Sequence, residues 1–172
     1  MQAQELDSDE QRLWELVWNT RLGIRYHLYA QSHYQKLAKF VTIFTLFASS
    51  AAFAVVLNKN ENLAAALALI AAFLQIFDLV IDTKSKATTH STLRQKYLQL
   101  EVSLQRYDRL TIEDADQFNR TRASIELEEP PLIRSLMTYV HNEQVRVEWG
   151  ENSERQVKLD WWTSLKIRLL PF

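Results

Sequence analysis

The chain contains no cysteine. That excludes disulfides, thiolate nucleophiles, cysteine-ligated zinc and palmitoylation, and it leaves the compartment open. Glycine occurs twice, at Gly23 and Gly150, and no glycine-rich phosphate loop can be built from the pair. The 4 histidines, His27, His33, His90 and His141, have no HExxH or comparable ligand spacing. The expectation is therefore no metal, no catalytic residue and no enzyme. A net charge of −1 over 172 residues argues for no polyanionic partner, so no nucleic acid is expected.

Charge is also missing locally. The run Phe40 to Leu57 has no charged residue. A second apolar run starts at Leu63 and continues to Ile81, with Gln75 and Asp78 near its end. The first run spans about 27 Å as a helix, close to the hydrocarbon thickness of a bilayer. Joined by Asn58 to Asn62, the two runs read as a transmembrane helical hairpin. A buried hairpin in a soluble core is the alternative, but the remaining apolar sequence is short for covering two uncharged helices. The charged first 39 residues argue against a secretory signal.

Lysine and arginine set the orientation. Arg21, Arg25, Lys36 and Lys39 precede the first run, with no acid between Val17 and Phe40. Lys84, Lys86, Arg94 and Lys96 follow the second, and the connecting loop has Lys59 against Glu61. Both termini are expected in the cytoplasm, with the loop outside.

The expected fold is an all-α membrane protein, a hairpin continuous with a cytoplasmic helical stalk or bundle. Residues 1–39 form a cytoplasmic N-terminal helix, 40–81 the hairpin, and 82–172 a cytoplasmic helical domain with an amphipathic tail. On the first helix Trp14, Val17, Arg21, Ile24 and Leu28 recur at spacings of three and four, which predicts a packing seam. On the helix after the hairpin Leu93, Tyr97, Leu100, Leu104 and Tyr107 do the same. The two stripes pack as a stalk or bind other protomers. Thr111 with Glu113 and Asp114 predicts a capped helix to about Leu127, broken at Glu129-Pro130-Pro131. A further helix carries Ile133, Leu136, Met137, Val140 and Gln144 on one face.

Three features of this chain come in order around the hairpin: Arg25-Tyr26-His27 before it, the helix His90 to Glu101 after it, and then Glu129-Pro130-Pro131 with His141-Asn142. In this arrangement the chain resembles the SLATT family, two-transmembrane effectors of bacterial conflict systems. The resemblance covers most of the chain. It implies the membrane-damaging arm of an antiphage defence system, associated with a nucleotide cyclase or a separate sensor. It also implies a cyclic nucleotide as the ligand to expect.

The residue readings leave alternatives open. Asp78 either pairs with Lys39 or lines a pore with Gln75, and Lys39, Gln75 and Asp78 are the gating candidates. Ala48, Ser49, Ala51 and Ala52 on one run, and Ala64, Ala68, Ala71 and Ala72 on the other, serve packing within the hairpin or between protomers. The basic residues serve topology and anionic lipid, or a phosphate pocket in which Arg21, Arg25 and Arg94 lead. His27 and Arg94 merit attention because their helices face each other. A pore needs a homo-oligomer, since one hairpin cannot enclose a water path. The alternative function is a non-conducting membrane scaffold that assembles a cytoplasmic partner. The tail, with Trp161, Trp162, Lys158, Lys166 and Arg168, docks on the membrane surface or on the protein itself.

Overall fold

A computed structural model describes residues 7–50, 58, 61–151, 153–158 and 161. Five helices account for the regular structure among these residues: α1 (Ser8–Ala48), α2 (Glu61–Ile81), α3 (Thr83–Leu104), α4 (Ile112–Glu126) and α5 (Arg134–Trp149). Of the loop expected outside the membrane, residues 59 and 60 lie outside the described residues and Glu61 and Asn62 open α2; the tail from 162 onward and residues 51–57 of the first apolar run also lie outside them.

Helix α1 is unbroken for 41 residues. It begins after Asp7 with Asp9 and Glu10 in its first turn, where carboxylates oppose the positive end of the helix dipole. It runs through Lys39 into the apolar segment without interruption. Past Lys39 Val41 is still buried, but Phe40, Ile43, Leu46 and Phe47 are all exposed. Helix α2 is exposed in the same way, and Leu79 is 81% accessible.

The stretch Asn62–Leu104, which contains α2, is by length and composition able to cross a membrane. Its most apolar window has a mean hydropathy of 2.3, and none of that window is buried. Among the described residues only α1 packs against α2, and it leaves most of the helix surface uncovered.

Between α2 and α3 stands Asp82, in the left-handed region at φ 52° and ψ 59°. Aspartate tolerates this conformation better than most residues because its short side chain bonds locally. Here its carboxylate accepts from Ser85 N at 3.2 Å and caps α3. The expected continuous helix is thus broken at one residue, close to the expected boundary at 81.

Helix α3 runs antiparallel to α1, as cross-helix contacts at Tyr34–His90, His27–His90 and Arg21–Glu101 require. One core cluster joins Leu16 of α1 to Leu93, Tyr97, Leu100 and Leu104 of α3, with Leu110, Ala115 and Ile125 beyond. A second joins Tyr26 and Ala30 of α1 to Leu136 and Val140 of α5.

The α3 stripe is as expected, except that Tyr107 is more than a third exposed. The α1 seam holds in part. Val17 and Ile24 pack against the core, Trp14 and Leu28 are exposed, and the buried positions include Leu16, Thr20, Tyr26, His27 and Ala30. Part of the reason lies across the interface. Tyr97 approaches α1 so closely that a Cβ on Gly23 would sit 2.8 Å from the ring. A small residue at such a point makes room for a large partner, and apolar periodicity overlooks it. Trp14 instead stacks on Trp18 at 5.5 Å, edge-on to Trp149 of α5.

Helix α4 matches its expected bounds, and the Thr111 hydroxyl accepts from Asp114 N at 3.2 Å. On α5 the expected face holds: Leu136, Val140 and Gln144 are buried, and Ile133 and Met137 pack at its margin.

Candidate functional site

Inside this apolar frame lies a chain of buried polar groups. His27 of α1 is fully buried and His90 of α3 is nearly so. Their Nδ1 atoms are 2.9 Å apart. On its other side His27 Nε2 lies 3.1 Å from Glu129 Oε1. The Tyr97 hydroxyl donates to the same oxygen at 2.7 Å. Glu129 belongs to the turn between α4 and α5, where Pro130 and Pro131 prevent helix and direct the side chain inward. Next to it the Tyr26 hydroxyl accepts from Ile133 N at 2.9 Å, fastening the start of α5 to α1.

The geometry fixes the protons. Two ring nitrogens at 2.9 Å share one hydrogen. A carboxylate only accepts, so His27 Nε2 carries hydrogen toward Glu129. In the neutral state His27 Nδ1 is then an acceptor, and His90 Nδ1 donates to it. The order is His90 to His27 to Glu129, with Tyr97 as the second donor to that oxygen.

The environment shifts the groups around His27. Burial pushes His90 down to about 4, helped by the neighbouring His27. His33, also buried, is lowered to about 4 by burial and Lys36. Burial raises Tyr97 well above the ordinary phenol range, and its hydrogen bond to Glu129 adds to the effect. For Glu129 burial favours the protonated form, but the hydrogen bonds from His27 and Tyr97 together outweigh it and hold the carboxyl low. The aromatic walls are close: Tyr34 stacks on His90 at 5.6 Å, and Tyr97 on His27 at 5.6 Å.

Both nitrogens of His27 are spent inside the protein. Among the described residues no group of three or more histidines and acids is arranged to hold a metal ion.

The expected site residues fall in other places. Arg21 Nε bonds Glu101 of α3 at 2.8 Å, and its Nη1 reaches Glu148 of α5 at 3.4 Å. Arg25 pairs with Glu143 of α5 at 3.4 Å. These two arginines are staples between helices, with their charge already balanced. Arg94 keeps an uncommitted donor, since its Nε is buried with no hydrogen-bond partner. Asp78 accepts a hydrogen bond from Thr83 Oγ1. No ion pair joins it to Lys39, so the expected Lys39–Asp78 contact is absent: the nearby hydroxyl satisfies the carboxylate instead. Gln75 is exposed on α2. Lys39 lines a cleft with Lys84 at the α1–α3 interface.

Sequence reasoning isolated His27 but not its partners. His90 stood out only within a longer helix segment, Glu129 only as a helix breaker, and Tyr97 only as an apolar stripe residue. The usable signal was the set of short features taken together. Tyr26, His27, His90 and Glu129 meet at one place, and Asn142 makes a paired contact with the Val157 backbone at 2.7 and 2.8 Å. No family model, curated protein or solved structure matches the chain.

Proposed function

We propose that this chain is a membrane effector that inserts two apolar helices, assembles with its own copies and permeabilises the bacterial inner membrane when its cytoplasmic bundle is released. The observation that carries the reading is the uncovered α2, with none of its most apolar window buried, attached to a bundle built on a satisfied buried polar network. Water does not tolerate the first part and lipid does not tolerate the second. Residues 40–57 are the second span in this reading, and both termini lie in the cytoplasm by the lysine and arginine asymmetry. A pore lined by Gln75 needs several copies.

The antiphage setting, and control by a cyclic nucleotide or a sensor protein, come from the resemblance to the SLATT family. The staples give that control a physical route. Arg21 and Arg25 hold α5 through Glu148 and Glu143. Arg21 is exposed and Arg25 half-buried, and pairs open to solvent in this way contribute about 1 kcal/mol each at most. A phosphate competing for these guanidiniums would displace the carboxylates and loosen α5 at little cost.

The test is induced expression in bacteria carrying a potential-sensitive dye, with the wild type beside an Arg21→Gln/Arg25→Gln chain. The released variant depolarises cells at lower expression than the wild type. Intact potential with both, while both chains resist alkaline carbonate extraction, refutes permeabilisation and leaves the scaffold reading.

A further inference from the structure

Where α1 and α3 separate toward the apolar segments, they enclose a cleft of about 450 Å³. That is the size of sites that hold small ligands. Its polar walls are Gln31, Gln35 and Lys39 from α1 and Lys84, Thr88 and Ser91 from α3. No carboxylate lines it. Among the described residues neither Lys39 nor Lys84 forms an ion pair. Their neighbour Lys86 is differently engaged, lying over the Tyr34 ring at 5.6 Å. Two ammonium groups facing one concave space repel each other unless an anion stands between them.

A second feature points the same way. Gln35 and Ser91 line the same cleft and bring an amide oxygen and a hydroxyl oxygen able to accept hydrogen bonds. The Thr88 hydroxyl donates to the Lys84 carbonyl at 3.0 Å. The amides at the start of α3 are not the anion site, since Asp82 already caps them. The cleft thus offers two cations with neutral acceptors beside them. That combination fits a phosphate group carrying a neighbouring hydroxyl.

We infer that the Lys39–Lys84 cleft binds a hydroxyl-bearing phosphodiester, supplied by the glycerol headgroup of an anionic lipid. The source follows from position. Lys39 directly precedes exposed Phe40, and Lys84 follows closely on exposed Val80. If those apolar segments lie in hydrocarbon, the cleft sits at headgroup level. The inference rests on the membrane reading above. A bound headgroup would bridge α1 and α3 on the bundle side of the Asp82 break.

The experiment uses the full chain purified in neutral detergent, with native mass spectrometry as the readout. Short-chain phosphatidylglycerol and phosphatidylcholine are titrated separately, and glycerol 3-phosphate is added as a competitor. A lysine beside an anionic headgroup contributes roughly fivefold in affinity. Phosphatidylglycerol is expected to bind in preference to phosphatidylcholine. That preference is expected to fall roughly twentyfold in a Lys39→Gln/Lys84→Gln variant and to persist in Lys36→Gln, whose side chain does not line the cleft. Competition by glycerol 3-phosphate assigns the site to free phosphates as well as lipid, and its failure to compete assigns it to lipid. Equal binding of the two lipids, or an equal loss in the Lys36→Gln control, overturns the inference. Alkaline carbonate extraction of native membranes separates the two failures. A chain released by carbonate refutes membrane insertion, and a retained chain without lipid preference refutes only the cleft.

Discussion

Glu129 is the most demanding position in the bundle, and its removal gives the sharpest test. In Glu129→Ala the Tyr97 hydroxyl and His27 Nε2–H lose their shared acceptor, and both donors belong to buried side chains. A buried donor without a partner costs about 1–3 kcal/mol. Water entering the space left by the side chain would recover part of this. The expected loss is therefore about 3–4 kcal/mol. Glu129→Gln keeps an acceptor oxygen but turns two charge-assisted bonds into neutral ones, roughly half as strong, so about 1–2 kcal/mol is expected. At about 2–4 °C per kcal/mol for a chain of this size, alanine lowers the midpoint by about 6–16 °C. The assay is thermal unfolding of the detergent-solubilised full chain, followed by far-ultraviolet circular dichroism. Tyr97→Phe completes a double-mutant cycle. The double variant should be less destabilised than the sum of the singles, because the hydroxyl has no role once its acceptor is gone. Additive losses, or a Glu129→Ala midpoint equal to the wild type, would refute the network as a stabilising unit.

Acid should weaken the bundle before any carboxylate is protonated. His90 and His33 fall from 6.5 to about 4 on folding, so between those limits the unfolded chain binds more protons and stability drops as pH falls. The contribution is complete above about 6.5 and amounts to roughly 3 kcal/mol per histidine by pH 4. Glu129 adds a further loss that begins near its unfolded value of 4.5 and grows as the pH falls toward its lowered folded value. Urea midpoints at pH 7.5, 6 and 5 should decline in order, and a flat profile would contradict neutral buried imidazoles. At Gly23, alanine gains about 1 kcal/mol of helix propensity but drives its Cβ against the Tyr97 ring. That ring is pinned by Glu129 and stacked on His27, so Gly23→Ala should be net destabilising by about 1–2 kcal/mol. The loss should shrink in a Tyr97→Phe background, and an outright gain in stability would show that the ring yields freely.

The helices, the α4 cap, the α3 stripe and the buried face of α5 were legible because each rests on local chemistry. Thr111 caps through its own hydroxyl, and Leu93, Leu100 and Leu104 follow the helical period. The α1 face was legible only at Val17 and Ile24, because the rest of it includes buried Thr20 and His27 and half-buried Gly23. Their suitability depends on Tyr97 and His90, about seventy residues away in the chain. The arginines were found as basic residues, but Glu101, Glu143 and Glu148 are what decide their role, and pairing across helices has no local signature. The Lys39–Asp78 expectation assumed that the nearest opposite charge wins. Thr83, only five residues on, satisfies Asp78 instead.

The two strands of the stalk differ mechanically. Helix α1 is one rod of 41 residues, about 60 Å long, with no interruption between Leu16 in the bundle and Phe47 among the exposed apolar residues. Its partner is two rods meeting at Asp82. A tilt of α1 inside the bundle therefore arrives undiminished at its far end, multiplied by the length of the lever. The same tilt reaches α2 through its contacts with α1 and through a joint held by the Asp82 cap, the Thr83–Asp78 bond and a few backbone bonds. The two apolar helices are thus coupled to the bundle unequally, one as its rigid extension and the other across a break.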